Sequence, residues 1–316
     1  MLDIITIGSA LQDIFCEISG GKKIAIQQPL LGLPLDGKIP IEKMHRHLGG
    51  GGINSAIVLA KLGLKCAPLI RVGKDSPGEE ILKRLQEYQL DVSLVKNSAE
   101  RPTGISILLH DVAEQEHVSL NHKGASDNLA ISEAELPSAS WLYVTAQTGD
   151  NWREDMLAIT ELAKDRSLAW NPGSEQIAAA AELDELFART EVLLVNQAEA
   201  KELLRVLGKN PSDDMRDNLE KLHAHGPAQV IITSGANGAD LFVGDSNTHI
   251  HADIAKFDVV DTTGTGDTFG ATYVAGLILD KDPEAALHMA IVNSGAVTRE
   301  WGAQRGLMKL SEIEKK

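Results

Sequence analysis

The stretch Asp261-Thr-Thr-Gly-Thr-Gly-Asp267 says more about the fold than any other part of this sequence, and an apolar helical pattern follows it. Its glycines let the backbone turn sharply and approach a ligand closely. The helix aims its free N–H groups and the positive end of its dipole back at the turn, which makes a site for an anion. Asp267 lies beside that site, where a carboxylate can take a proton from a hydroxyl that attacks a phosphoryl group. Alone, the stretch fits a glycine-rich helix start equally well.

The composition predicts a globular protein with a large core and excludes some partners. The chain has 316 residues, of which 43% are hydrophobic, and a net charge of -15. That charge argues against nucleic acid or an anionic membrane as the main partner. It does not exclude ATP, because a local site with Mg²⁺ overrides the overall field. Cys16 and Cys66 lie in apolar runs without metal-ligand spacing, so we expect buried thiols in a reducing compartment.

The first residues, Met1-Leu-Asp-Ile-Ile-Thr-Ile, predict a core strand rather than a signal peptide, because no basic segment precedes a long apolar run. No apolar run in the sequence approaches the ~20 residues that a membrane span needs. The sequence therefore predicts a cytoplasmic protein without a membrane partner.

Short apolar runs typical of buried strands alternate with helical patterns along most of the chain. The strand runs are 4–7, 67–72, 141–145, 167–170, 192–195 and 230–233, followed by a late β pair at 241–243 and 249–252. Helical patterns of roughly 10–15 residues separate most of them. Repeated β-α-β order predicts an α/β fold with a mostly parallel sheet that helices cover on both faces.

Two segments, at about 12–47 and 93–125, interrupt this alternation. The first is rich in Gly and Pro, which predicts short strands and turns. In the second, residues 93–97, 103–110 and 116–122 alternate apolar and polar side chains. We expect the runs of the second segment to form short antiparallel strands, and the two segments to meet as a small lid on a single domain that spans residues 1–316.

The first third of the chain contains candidate binding residues and lacks two common nucleotide motifs. No Gly-x-Gly-x-x-Gly follows the first strand and no Gly-x-x-x-x-Gly-Lys-Ser/Thr is present, which disfavours Rossmann and Walker-type sites. Asp13 is expected where a central strand ends, so that its carboxylate can accept hydrogen bonds from sugar hydroxyls; a plain turn residue is the alternative. The glycines 49–52 allow a substrate to approach bare backbone, and Asn54 both donates and accepts.

Taken together, the glycine motif near residue 50 and the motif near residue 265 point to one protein family. Gly-Gly-x-Gly-x-Asn opening a helix near residue 50, with Asp-Thr-x-Gly-x-Gly-Asp-x-Phe near residue 265, resembles the ribokinase-like (PfkB) carbohydrate kinase family. Further matching pieces lie between them in order, namely Gly73-x-Asp75-x-x-Gly78, Asn171-Pro172, Asn196-Gln-Ala-Glu199 and Thr233-x-Gly235-x-x-Gly238. The resemblance covers nearly the whole chain, and it implies a three-layer α/β/α fold with a mostly parallel central sheet and a small β lid.

The resemblance implies the catalytic residues. Asp267 matches the base that activates the acceptor hydroxyl. Gly264, Thr265 and Gly266 match the backbone anion hole that holds the charge developing on the transferred phosphoryl group. Many relatives have Ala where Thr265 stands, which leaves the backbone amide unchanged.

The resemblance also implies the binding residues. The acceptor-substrate positions are Asp13, Gly50 and Asn54. The nucleotide-side positions are Asn196 and Glu199 for Mg²⁺ and phosphate placement, Thr233, Gly235 and Gly238 in a loop, and Asn293 beside the adenine. Asp261, with backbone oxygens of Thr263 and of the turn 298–303, matches a monovalent-cation site that would take K⁺. The structural alternatives are a helix-start pair for Asn196 and Glu199 and an ordinary helix residue for Asn293. Relatives of the ribokinase branch carry Lys where Gly51 stands.

The sequence thus predicts an ATP- and Mg²⁺-dependent kinase that phosphorylates a primary hydroxyl of a small sugar. A nucleoside kinase is one alternative, for which Phe15 is the only aromatic stacking candidate in the first lid segment. A phosphosugar kinase is another, and it would need basic residues from a scattered set, Lys38, Lys43, Arg46, Arg101 and Lys123. A catalytically silent sugar-binding homologue is the third.

A homodimer through the lid is the expected assembly. Short strands in a small sheet cannot bury both faces against the main sheet, so an apolar face and unpaired edges remain. A second copy of the chain would cover them, and members of the family often dimerise in this way.

Overall fold

The apolar strand runs assemble into one eight-stranded sheet in the computed structural model, which describes residues 1–24, 30–113, 116–132, 136–254 and 259–316. The strands are β1 (Leu2–Ile7), β2 (Leu11–Ile18), β3 (Lys22–Ile24), β4 (Leu30–Gly32), β5 (Ile41–Gly49), β6 (Cys66–Leu69), β7 (Arg71–Gly73), β8 (Lys96–Ser98), β9 (Gly104–Asp111), β10 (Glu116–His122), β11 (Ala139–Val144), β12 (Ser167–Trp170), β13 (Thr190–Asn196), β14 (Gln229–Thr233), β15 (Ala239–Val243) and β16 (Thr248–Ala252). The helices are α1 (Gly51–Lys61), α2 (Ser76–Glu87), α3 (Trp152–Leu162), α4 (Ser174–Ala178), α5 (Asp184–Arg189), α6 (Gln197–Val206), α7 (Met215–His223), α8 (Thr265–Ile278), α9 (Pro283–Val297) and α10 (Leu310–Ile313).

The main sheet has the order β16-β15-β14-β13-β12-β11-β1-β6. Its pairs from β6 to β14 are parallel, and β15 and β16 are added antiparallel at one edge. The predicted mostly parallel sheet is therefore confirmed, and so is the late β pair. Because parallel strands share a direction, their carboxyl ends meet along one edge of the sheet, which is where open α/β sheets bind ligands.

Helices cover both faces of this sheet, which confirms the three-layer fold. Ile4 and Ile5 are neighbours on β1 and both are fully buried, yet they belong to two different cores. Adjacent residues of a strand point to opposite faces, so each core lies on its own side. Helices α1, α2, α8 and α9 supply the core that contains Ile4, and α3, α5, α6 and α7 supply the core that contains Ile5. None of the helices in the described part of the chain has the length and apolarity to cross a membrane.

The lid is a separate four-stranded sheet with the order β10-β9-β2-β5. The antiparallel pairing predicted for the second segment is found between β9 and β10, and the two segments join through the parallel pair of β2 and β9. A parallel pair needs a long connection, and the chain from β5 to α2 supplies it. One expectation was wrong: the strand expected at 93–97 does not join the lid, because β8 (Lys96–Ser98) pairs with β7 instead.

Candidate active site

The two motifs that lie farthest apart in sequence meet at the start of α8. Gly264 is the residue before this helix, with a φ of 72°, and a Cβ there would lie 2.2 Å from the Cβ of Ala303. Only glycine fits a left-handed backbone this close to another chain segment. Asn54, in the first turns of α1, donates from Nδ2 to Oδ2 of Asp267 over 2.8 Å. The structure thus joins the glycine loop before α1 to the carboxylate in the first turn of α8.

The first turn of α8 can receive an anion at Gly266. Apart from its chain neighbours and the backbone of its own helix, no heavy atom of the described residues lies within 4 Å of the place where a Cβ of Gly266 would stand. The Thr265 amide and hydroxyl both donate to the Thr262 carbonyl, whereas the first intrahelical bond runs from Thr268 to Gly264. The amides between them, at Gly266 and Asp267, are the ones that the helix start leaves for a ligand. Thr265 therefore supports the turn.

A small cavity joins Gly266 to the predicted phosphate-side residues. It has a volume of about 110 Å³, and its lining includes Asn196, Glu199, Thr233 and Gly266. Asn196 and Glu199 also cap α6 reciprocally: the Glu199 amide donates to Oδ1 of Asn196 and the Asn196 amide donates to Oε2 of Glu199. This capping box stabilises the helix start, so the pair has a structural task beside any ligand.

The donor set at this cavity suits Mg²⁺ held mainly by phosphates. Among the residues that the structure describes, no cluster of three or more His, Cys, Asp or Glu side chains could hold a metal by itself. Mg²⁺ commonly binds one or two carboxylates together with phosphate oxygens and water. Glu199 uses Oε2 in the cap, and its other oxygen is available for such a contact. Burial raises the pKa of Glu199, and its hydrogen bonds to Asn196 lower it.

The carboxylate of Asp267 is held by a chain of side-chain amides. Burial raises the pKa of Asp267, and the hydrogen bond from Asn54 lowers it. The orientation of the Asn54 amide is set in turn by Gln304, whose Nε2 donates to Oδ1 of Asn54 (3.2 Å) and to the Leu48 carbonyl (2.9 Å). Because the Asn54 oxygen is occupied by a donor, its NH₂ group faces Asp267. Sequence reasoning missed Gln304, since no local pattern around it signals a ligand or a base.

Asp13 lies buried on β2 at the hinge of the lid. Burial, followed by the charges of Asp267 and Asp261, raises its pKa to about 7, against a hydrogen bond from Ser106 that lowers it. A Cβ at Gly49 would lie 2.0 Å from Oδ2 of Asp13, so that glycine is needed to admit the carboxylate. The charges of three aspartates thus act together at this site. Such a site favours hydroxyl groups and repels an anionic acceptor.

The remaining glycines before α1 have packing reasons of their own. Gly50 caps α1 with a φ of 100°, and a Cβ there would lie 2.5 Å from the Ser9 carbonyl oxygen. A Cβ at Gly51 would lie 2.6 Å from Oγ1 of Thr145. Bare backbone at 50 and 51 therefore lets α1 start against the carboxyl ends of β1 and β11, next to Asp13.

The nucleotide-side loop leads to a larger cavity. In the loop after β14, the Ser234 amide donates to the Gly238 carbonyl. Gly238 has a φ of 81°, and a Cβ on it would lie 2.0 Å from the Ala252 carbonyl oxygen. Beyond this contact lies a cavity of about 390 Å³, whose lining is Asp253, His288, Ile291, Val292, Ala296, Arg299 and Lys316. The loop therefore connects the small phosphate-side cavity to a cavity large enough for a flat ring.

Asn293 does not face this cavity, which corrects the expectation that it borders the nucleotide. It is only 1% exposed. Its Nδ2 donates to Oγ1 of Thr272 on α8, and its Oδ1 accepts from the Met308 amide. Asn293 thus ties α9 to α8 and to the C-terminal segment, while its neighbours Ile291 and Val292 line the cavity.

Asp261 joins the two turns that were expected to form a cation site. Its Oδ1 accepts from the Thr263 amide and hydroxyl, and its Oδ2 accepts from the Gly302 amide over 2.9 Å. The Thr298 carbonyl accepts from the amides of Val260 and Asp261. The carboxylate therefore acts as a clamp between these turns in the structure.

An aromatic wall faces the lid, and sequence reasoning missed its main member. Trp301 lies in the turn after α9 and stacks on His45, with ring centroids 5.8 Å apart and planes at 12°. Phe15 meets the edge of Trp301 at 6.1 Å and of His47 at 5.5 Å. Trp301 is separated from His45 by more than 250 residues of sequence, so only the fold brings the two rings together.

Comparisons with known proteins agree with this geometry. Residues 19–310 match the family model described as pfkB family carbohydrate kinase. A ribokinase of Lactococcus lactis is 29% identical over 85% of each chain, and an aminoimidazole riboside kinase of Salmonella typhimurium is 29% identical over 75% of each. Among solved structures, ribokinase of Arabidopsis thaliana complexed with ribose and ATP superposes with a TM-score of 0.83 at 22% identity, covering 99% of this chain and 98% of that one. A nucleoside kinase of Burkholderia thailandensis in complex with inosine has a TM-score of 0.80 at 20% identity, covering 99% and 96%.

Proposed function

The chain belongs to the pfkB family of carbohydrate kinases, and from that premise we propose that it transfers a phosphoryl group from ATP to a primary hydroxyl of a small sugar or of the sugar ring of a nucleoside. The hydrogen bond between Asn54 and Asp267 carries this proposal. It places a half-buried carboxylate beside the amides of the α8 N-terminus and beside the lid hinge at once. A base, an anion site and a hydroxyl site are the parts that phosphoryl transfer needs.

In this mechanism Asp267 takes the proton from the acceptor hydroxyl as it attacks. Burial raises the pKa of Asp267, which makes the carboxylate a stronger base than an exposed one. The amides of Gly264, Gly266 and Asp267 at the start of α8 hold the charge that develops on the transferred group, while the Thr265 amide supports the turn by donating to the Thr262 carbonyl. Mg²⁺, when bound near Glu199, would neutralise charge on the phosphates. Closure of the lid would exclude water from the reacting groups.

The acceptor is neutral in this proposal. Asp13 accepts hydrogen bonds from its hydroxyls at the hinge, next to Asn54. A phosphosugar has less support because two of the candidate cations are engaged with carboxylates. Arg101 lies 3.9 Å from Asp127, and Lys43 pairs with Glu17 at 2.9 Å.

The nucleotide lies along the carboxyl edge of the sheet in this proposal. Its terminal phosphates occupy the small cavity at Gly266 and Thr233, and its base occupies the larger cavity beside Gly238, where Ile291 and Val292 form an apolar surface. A monovalent cation such as K⁺ would lie at the turns that Asp261 joins. The free, buried thiols of Cys16 and Cys66 suit a reducing, cytoplasmic setting.

A homodimer through the outer lid face completes the proposal. Side chains alternate across a strand, so Cys16 on β2, Met44 on β5, Ile107 on β9 and Leu120 on β10 share the face opposite to Asp13. Met44 is 49% exposed and Leu120 is 51% exposed. The exposed large apolar side chains are concentrated in the lid segments, namely Ile24, Leu30, Leu33, Leu35, Ile41, Met44, Val112 and Leu120. A second copy covering the outer face would remove Met44 and Leu120 from water.

Substitution of the base tests the kinase proposal. Asp267→Asn removes the proton acceptor, so kcat should fall by at least ~10²-fold while ATP affinity is largely kept. The readout is acceptor-dependent ADP release with a panel of sugars, nucleosides and phosphosugars. Asp280→Asn is a matched control, because Asp280 is exposed just beyond the other end of the same helix. Near-normal turnover by Asp267→Asn would reject Asp267 as the base, and no ADP release with any acceptor would favour a silent homologue.

A further inference from the structure

The inner face of the lid changes its chemistry in rows from the hinge outward. Asp13 on β2 pairs with His47 on β5 and with Ser106 on β9. Directly paired residues of neighbouring strands point to the same face. The row nearest the hinge therefore carries a carboxylate, an imidazole and a hydroxyl. These are groups that exchange hydrogen bonds with sugar hydroxyls.

The next row of the same face is apolar and aromatic. Two residues further along β2, Phe15 pairs with His45 on β5 and with Leu108 on β9. Phe15 is 8% exposed, and Leu108 is half-buried. A sugar with hydroxyls on every carbon would meet one hydrogen-bonding side chain in this row, His45, whose ring stacks on Trp301.

The third row is polar again. Glu17 pairs with Lys43 on β5 and with His110 on β9, and the Glu17 carboxylate accepts from Nζ of Lys43 over 2.9 Å. From the hinge to the tip, the inner face of the lid therefore has a polar first row, a largely apolar second row and a polar third row.

The wall opposite the second row carries apolar side chains among polar ones. Trp301 and the segment 259–263 face the lid at a cavity of about 560 Å³. Its lining combines apolar Phe15, Leu108, Val112, Val259, Val260 and Trp301 with polar Glu17, Lys43, His110, Asp261, Thr262 and Thr263. Val259 and Val260 are 60% and 43% exposed. Large apolar side chains left in water at a cavity mouth indicate a ligand with an apolar face.

We infer that the acceptor is a nucleoside, whose ribose lies at the Asp13 row and whose base lies in the cavity between Phe15, Leu108 and Trp301. This inference rests on the proposed function. The parts of a nucleoside match the three rows of the lid in order. The hydroxyl-bearing ribose matches the first row, the apolar faces of the flat base match the second, and the polar edge of the base matches the third. The polar edge would meet Glu17 and Lys43. A free sugar would reach only the first row and leave the aromatic wall in water.

Matched acceptors test the inference. Inosine, uridine and methyl β-ribofuranoside share the same ribose and differ in what is attached to its anomeric carbon. We expect kcat/KM for at least one nucleoside to exceed that for methyl ribofuranoside and for ribose by about tenfold or more, because only the nucleoside fills the second row. Equal kcat/KM values, or a preference for ribose, would overturn the inference and leave the kinase proposal standing.

Variants of Leu108 in the second row and of Trp301 in the wall opposite it locate the nucleobase. Trp301→Leu and Leu108→Ser should each lower kcat/KM for the nucleoside about tenfold and change that for methyl ribofuranoside by less than about threefold. Trp301→Phe, which keeps a ring, should retain most of the preference. Leu157→Ser on the exposed face of α3 is the control for Leu108→Ser. If Trp301→Leu and Leu108→Ser both keep the wild-type preference for the nucleoside, the nucleobase lies elsewhere and the inference is overturned.

Binding separates failure of the inference from failure of the proposed function. Nucleosides should quench tryptophan fluorescence in the wild-type protein and quench it less in Trp301→Phe, whereas methyl ribofuranoside should have little effect. Quenching by nucleosides without turnover of any acceptor would support the nucleobase site and reject the kinase proposal. Turnover of sugars without quenching by nucleosides would support the kinase proposal and reject the nucleobase site.

Discussion

At the scale of single residues, the proposed base, Asp267, is held by an amide chain that starts far away in the sequence. Gln304 donates to Asn54, and Asn54 donates to Asp267. An amide side chain has one accepting and one donating end, so a donor placed at its oxygen turns the NH₂ group the other way. Gln304 is thereby a positioning residue for the base, although it makes no hydrogen bond to Asp267 in the structure.

Gln304→Glu should shift the acid limb of the kcat–pH profile upward by about one pH unit. A carboxylate cannot donate to Oδ1 of Asn54, so the Asn54 amide turns round and presents its oxygen to Asp267. Loss of this hydrogen bond, together with the new negative charge, raises the pKa of Asp267. Because the base works only when it is deprotonated, activity then requires a higher pH. The measurement is kcat against pH under saturating ATP and acceptor.

The neutral variant Gln304→Met separates orientation from charge. It removes the donor without adding a negative group, so its acid limb should shift in the same direction by a smaller amount. A purely structural role would lower thermal stability in both variants and leave the acid limb at the wild-type pH, and that result would reject the positioning role.

At the scale of elements, the N-terminus of α8 combines a helix start with an open space. Position 264 requires glycine because its φ is positive and because a Cβ there would clash with Ala303. Gly266, two residues later, has an ordinary helical backbone and open space at its Cβ position. The absence of a side chain at Gly266 therefore serves the cavity and not the packing of the protein.

Gly266→Ala should raise stability and lower activity at the same time. Ala in place of Gly in a helix stabilises by about 0.5–1 kcal/mol. The added methyl group would enter the space where we propose that the phosphoryl group binds and would push that group away from the Gly266 amide, so kcat should fall by about 10²-fold, the scale for a lost oxyanion contact. Urea unfolding and steady-state kinetics measure the two effects. A destabilised variant would show that the helix start itself needs Gly266, and unchanged kcat would move the phosphoryl group away from it.

At the scale of the whole molecule, the two faces of the lid differ. The inner face, with Asp13 and Phe15, faces the site that we propose for the acceptor, and the outer face, with Met44 and Leu120, has exposed apolar side chains. A four-stranded sheet with β5 and β10 at its edges is open to pairing with another chain.

The protein should have twice the chain mass in light scattering at micromolar concentration. Met44→Lys and Leu120→Lys each place a charge on the outer lid face, where burial against a second copy would be costly, so both should shift the mass toward the monomer. Leu157→Lys, a charge added at an exposed apolar position on α3, should leave the dimer intact. A wild-type monomer would reject the stable dimer, and a dimer insensitive to both lid variants would move its interface off this face.

The sequence by itself determined the features that local spacing encodes. The alternation of apolar runs and helical patterns predicted the mostly parallel sheet and its two helical layers, because strand and helix periods are local properties. Glycines and aspartates around 50 and 265 predicted the loop before α1 and the start of α8. The tertiary structure alone decided which residues meet there. It paired β2 with β9 in parallel, turned Asn293 inward, and brought Gln304 to Asn54 and Trp301 to the lid. These contacts join segments that are distant in sequence, and their cause is the packing of whole elements, which no local pattern records.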